Sequence, residues 1–98
     1  MLFRSNDTSS KNNTDSPRRF KVIIFNDDFT PYDFVKDLIK KVFRKQDTEA
    51  DNITMQIHAK GSGIVGVYSR DIAETKVAVA EDHARSAGHP LSIQSLPE

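Results

Sequence analysis

Residues 26–31 read Asn26-Asp27-Asp28-Phe29-Thr30-Pro31, two adjacent carboxylates set between an amide and a hydroxyl. Asn and Asp are common where strands end, because their short side chains bond nearby backbone amides. A turn needs one such residue, however, and a second carboxylate adds repulsion unless a cation relieves it. The surplus acid therefore points to a positively charged ligand. His58 is a candidate third member. Asp27, Asp28 and His58 together have the composition of a two-carboxylate, one-imidazole metal set, and a small metal- or carboxylate-dependent hydrolase is the alternative this raises. Nothing in the spacing itself brings the three together.

Other catalytic chemistry finds little support. There is no cysteine, hence no thiolate nucleophile, disulfide or cysteine-ligated zinc site. The serines sit in no nucleophile elbow. Gly61-Ser62-Gly63 lacks the Lys-Ser/Thr that completes a phosphate loop. His83 and His89 fall near a helix end, where imidazoles can satisfy free carbonyls. The chain is expected not to be an enzyme and to need no cofactor.

The elements that position these residues follow from periodicity. The polar segment 1–19, ending just after Pro17, is expected to be a disordered extension. Residues 20–26, FKVIIFN, are β-branched and aromatic and bounded by a turn, which predicts a strand. TPYDFVKDLIKKVFRK predicts a helix over 30–45, capped by Thr30, with Pro31 in its first position and Asp33 in a capping box. Phe34, Val35, Leu38, Ile39, Val42 and Phe43 make its apolar face. Lys36, Lys40, Lys41, Arg44 and Lys45 read as solvated surface near the end that the helix dipole favours for cations. DTEADNITMQIHAKG predicts a second helix, with Thr48 as cap and Gly61 as stop. SGIVGVYS is a strand in which Gly66 marks either a bulge or a close backbone approach. RDIAETKVAVAEDHARSAG is a third helix stopped by Gly88, and LSIQSL alternates as a final strand. The order β-α-α-β-α-β predicts an α+β domain with three helices on one face of a small sheet.

Ninety-eight residues suffice for one domain. Fourteen basic side chains balance fourteen acidic ones, so bulk charge calls for neither nucleic acid nor membrane. Met1-Leu2-Phe3 leads into polar residues rather than an apolar run, and no signal-peptide pattern is present. A cytoplasmic, monomeric protein is expected.

KVIIFNDDFTPYDFV, MQIH, AKGSGIVGVY, AETKVA and GHPL follow one another in this order. In this combination the chain, from about Phe20 onward, resembles the ClpS adaptor family. The resemblance implies a three-stranded antiparallel sheet with three helices on one face and no enzymatic activity. It further implies an adaptor that recognises proteins whose first residue is bulky and hydrophobic (Phe, Tyr, Trp or Leu, the N-degron). Such an adaptor hands them to a Clp AAA+ unfoldase such as ClpA, which feeds the ClpP peptidase. By matching positions, Asn26, Asp27 and His58 would hold the substrate's α-amino group. Asp28, Thr30, Tyr32, Val35, Thr54, Ile57 and Leu91 would surround its first side chain. Asp71 and Lys76, assisted by Glu74, would face the unfoldase's N-terminal domain, and the extension would serve delivery. Tyr32 stands where many relatives carry Met, and Thr54 where they commonly carry Met or Leu. Thr54 is expected to leave room, and a hydrogen bond, for an aromatic side chain, making Leu the weaker ligand.

Overall fold

The computed structural model describes residues 18–98. Its elements are β1 (Arg19–Phe25), α1 (Tyr32–Val42), α2 (Asp47–Lys60), β2 (Ser62–Ser69), α3 (Arg70–Ser86) and β3 (Ser92–Pro97). This is the expected order. The predicted disordered extension, 1–19, lies outside the described residues except at its end, where Arg19 already belongs to β1.

The strand richest in β-branched residues takes the centre of the sheet. β1 pairs antiparallel with β2 on one side and β3 on the other, giving the order β2-β1-β3. Val22 and Ile24 are wholly buried on the side that the helices cover, joined by Val65 and Ile93 from the flanking strands. Ile64 and Leu96, pointing the other way, remain exposed. Against this face α1 packs Val35, Leu38, Ile39 and Val42, α2 packs Ala50, Thr54 and Ile57, and α3 packs Ala73, Ala80 and Ala84.

Both readings of Gly66 hold. The register of β1 against β2 slips between Val22 and Ile23, a bulge at this glycine, and a Cβ there would run into the Tyr68 ring. Gly61 ends α2 at φ 93°, returning its N–H to the Ile57 carbonyl at 2.9 Å. Gly88 ends α3 at φ 79°. There the His89 N–H reaches the Ala84 carbonyl at 2.8 Å and the Gly88 N–H that of Arg85 at 3.0 Å, a Schellman pair.

Two helix caps differ from expectation, while α3 begins at Arg70 as expected. Pro31, not Thr30, is the N-cap of α1, and no side chain caps that end. The Thr30 hydroxyl is turned back to Asp27 instead. Gln46, not Thr48, precedes α2, again without a side-chain cap. Asp47 opens that helix while its carboxylate takes Lys40 of α1 at 2.9 Å. α1 also stops three residues before the predicted end, because Arg44 takes a left-handed conformation, φ 57°, that turns the chain toward α2.

Candidate functional site

The acidic turn is held from within and from one side. Asp27 Oδ1 accepts the backbone N–H of Phe29 at 2.8 Å and of Thr30 at 2.9 Å. Asp27 Oδ2 accepts the Thr30 hydroxyl at 2.6 Å. Partial burial by itself would raise this carboxyl's pKa. The Thr30 hydroxyl, the two backbone N–H groups and nearby His89 outweigh it and hold the group below the usual carboxylate range. Asp27 is therefore the residue that shapes the turn. Asp28 is exposed, and among the described residues nothing bonds to its carboxylate.

The backbone N–H of Asn26 donates to the Gly61 carbonyl at 2.9 Å. That bond fastens the start of the turn to the end of α2, where His58 sits one turn earlier. Two residues 32 positions apart are thus neighbours because a strand end and a helix end share one hydrogen bond. A cavity of about 190 Å³ opens here, lined by Asn26, Asp27, Asp28, Thr30, Tyr32, Val35, Thr54, Ile57 and His58. It falls short of the roughly 300–1,000 Å³ of drug-sized sites and suits a single side chain. All three residues expected around an α-amino group line it, as do six of the seven expected around a side chain.

The seventh, Leu91, is not part of this lining. It is a core residue, 7% exposed, whose remaining surface faces a separate groove beside Phe29, His89 and Pro90. Leu91 directly precedes β3, whose Ile93 is buried two residues on, and this places its side chain in the core.

Val35 and Ile57 are buried apolar walls. Thr54 is buried as well, and its hydroxyl donates back to the Ala50 carbonyl at 2.7 Å. The expected hydrogen bond from Thr54 to a ligand thus loses its donor, leaving an oxygen that can only accept. Tyr32 crosses from α1 to α2, donating its phenol to Asp51 Oδ1 at 2.8 Å. Desolvation, the bond to Asp51 and the negative charges of Asp51 and Asp33 push that phenol's pKa up to about 12. The Tyr32 ring meets His58 edge-on, centroids 6.4 Å apart. In the sequence Asp51 reads only as the capping partner three residues after Thr48, a role it does not take, and not as a site residue.

Asp27, Asp28 and His58 share the cavity without assembling a metal centre: no group of three or more His, Cys, Asp or Glu among the described residues converges closely enough to ligate an ion. No described helix is long and apolar enough to cross a membrane. On α3, Asp71 and Glu74 are exposed, with Glu74 paired to Arg70 at 3.2 Å. Lys76 is half-buried. It donates to the Val42 carbonyl at 2.8 Å and lies 5.3 Å from the centre of the Tyr68 ring. The basic face of α1 is less solvated than expected, since Lys36 and Lys40 pair with Asp47 and Asp51 of α2.

Fold and cavity together define a small α+β domain with a side-chain-sized cavity beside an acidic turn. The family described as "ATP-dependent Clp protease adaptor protein ClpS" matches residues 15–94. A ClpS adapter protein from Deinococcus radiodurans is 45% identical over 91 residues, covering 93% of this chain and 80% of that protein. One from Paraburkholderia phymatum is 49% identical over 75 residues, 76% of this chain and 72% of its own length. Among solved structures, that of Agrobacterium tumefaciens ClpS2 bound to L-phenylalaninamide superposes with a TM-score of 0.82. It shares 42% identity and covers 85% of this chain and all of that one. The chain belongs to the ClpS family of Clp protease adaptor proteins.

Proposed function

We propose that this adaptor binds proteins beginning with a bulky hydrophobic residue, through the free α-amino group and the first side chain together. It then delivers them to a ClpA-type unfoldase for degradation by ClpP, and breaks no bond itself. The observation that carries this reading is one cavity in which the polar groups of Asn26, Asp28 and His58 border an apolar slot walled by Val35 and Ile57. L-phenylalaninamide, the ligand of Agrobacterium tumefaciens ClpS2, has the matching form. It joins a free amine to a benzyl side chain, with an amide where a second residue would follow.

An α-amino group has a pKa of about 7.7–8.0 and is mostly protonated at neutral pH. Its three N–H donors call for a negative charge and further acceptors. The Asn26 side-chain carbonyl and a ring nitrogen of His58 supply two acceptors. Asp27 contributes charge but has already spent three acceptor positions on its own turn. Asp28 therefore joins it as the carboxylate with free acceptor capacity. Hydrogen bonds to a charged group are worth roughly 1.5–3 kcal/mol each, and burying a Leu or Phe side chain a further ~1.5–3 kcal/mol. Association costs of about 4–15 kcal/mol consume either contribution alone. Binding needs both, which restricts recognition to a hydrophobic residue at a chain's N-terminus.

Fluorescence-anisotropy titration with a Phe-initiated peptide and its N-acetylated twin tests this. Acetylation removes the charge and two of the three donors, and it is expected to weaken binding at least about tenfold. Equal affinity for the two peptides would overturn the reading.

A further inference from the structure

The cavity lies between α1 and α2, and a polar network runs along the seam joining those helices. Tyr32 of α1 donates to Asp51 Oδ1 at 2.8 Å and lies 3.2 Å from the Asp51 carbonyl. The Lys36 ammonium stands 3.8 Å from the same Asp51 carboxylate and 3.4 Å from Asp47, which also takes Lys40 at 2.9 Å. Tyr32 alone among these residues lines the cavity. Without the bond, its ring would be a half-exposed side chain free to change rotamer. With it, both ends of the ring are fixed, at the α1 backbone and at α2, and its flank is set edge-on to His58.

We infer that Asp51 is a positioning residue for substrate choice, and that the Tyr32–Asp51 bond makes one wall of the pocket rigid so that it discriminates in favour of flat aromatic first residues over the branched, aliphatic Leu. This rests on the N-terminal-residue reading given above. A rigid wall beside the short Thr54 offers a slot of fixed shape. A planar ring enters it without displacing anything, whereas the branched end of Leu fills it poorly and finds no mobile neighbour to close the gap. A released Tyr32 ring could follow either shape, and adaptable walls trade selectivity for breadth. Asp51 touches no ligand in this scheme. It acts through Tyr32.

The experiment measures Kd for two labelled peptides that differ only in their first residue, Phe or Leu, with the full chain and with Tyr32→Phe, Asp51→Ala, Asp51→Asn and Tyr32→Phe/Asp51→Ala. Tyr32 and Asp51 are both at the surface, and thermal melts confirm that each variant is folded. Tyr32→Phe and Asp51→Ala are each expected to lower the ratio Kd(Leu)/Kd(Phe) by about three- to tenfold, the range of one hydrogen bond. The double variant should go no further than either single one, and Asp51→Asn, which keeps an oxygen acceptor for the phenol, should retain most of the ratio. An unchanged ratio in Tyr32→Phe and Asp51→Ala would overturn the inference while leaving N-terminal recognition intact. So would an Asp51→Asn ratio as low as that of Asp51→Ala. Failure of the unaltered chain to bind the Phe peptide would instead overturn the functional reading on which it rests.

Discussion

At the residue scale the two neighbouring aspartates divide their work. Asp27 folds its own turn through three hydrogen bonds, while Asp28 stands at the cavity without a partner among the described residues. Asp27→Ala should therefore cost about 1–2 kcal/mol of stability, as loss of a comparable capping side chain does. Asp28→Asn should leave stability unchanged and weaken binding of a Phe-initiated peptide. Because folding lowers the Asp27 pKa, its stabilisation is complete above the ordinary carboxylate pKa and lost as pH falls through the lowered folded value. Urea denaturation of the unaltered chain and Asp27→Ala should thus differ at pH 7 and converge in strong acid. A gap that persists at the acid end would rule out this role. That the acidic knot holds more carboxylate than a turn requires is visible in its composition. Which carboxylate is surplus is not, because the backbone course from Phe29 to Thr30 decides whose oxygens meet the N–H groups.

At the element scale the pocket depends on how closely α2 approaches the sheet. A Cβ on Gly63 of β2 would sit 2.8 Å from Ile57 Cγ1, and Ile57 is both core and cavity wall. Gly63→Ala is expected to push that side chain aside, costing about 1–3 kcal/mol as overpacking does, and to reduce Phe-peptide affinity with it. A denaturation midpoint equal to that of the unaltered chain would show that the approach is slack. Two of the three helix stops were legible, since Gly61 and Gly88 occupy left-handed positions that other residues enter at a cost, whereas the left-handed Arg44 that follows α1 was not. The caps that open α1 and α2 were not legible. Thr30 and Thr48 are good caps by type, but the hydroxyl of one is claimed by Asp27, and the Asp47 ion pairs accompany a start one residue before the other.

At the scale of the whole molecule α3 carries two kinds of charge. Asp71 and Glu74 face solvent, whereas Lys76 reaches under the end of α1 to the Val42 carbonyl, beside the Phe43 and Tyr68 rings. Lys76→Ala should accordingly lower stability by about 1–2 kcal/mol through the lost hydrogen bond and cation–π contacts. The pair Asp71→Lys and Glu74→Lys should leave stability and peptide affinity in place and slow degradation of a Phe-initiated reporter by unfoldase and peptidase. Unimpaired degradation would remove this face of α3 from the delivery surface. The three positions look equivalent along the chain, as charges within six residues of one helix. Only the packing of α3 against α1 separates the one bonded to another element from the two that are not.

Local pattern determined the identity and order of all six elements, the face α1 buries and the residue types gathered at the site. Periodicity and glycine stops act over a few residues, and the quoted motifs carry the rest. Tertiary structure alone decided that Asn26 meets His58 through the Gly61 carbonyl, that Leu91 belongs to the core, and that Asp51 holds Tyr32. Each of these is a contact between elements far apart in the chain. Such contacts are set by how closely the helices pack on the sheet, and neither composition nor spacing encodes that distance locally.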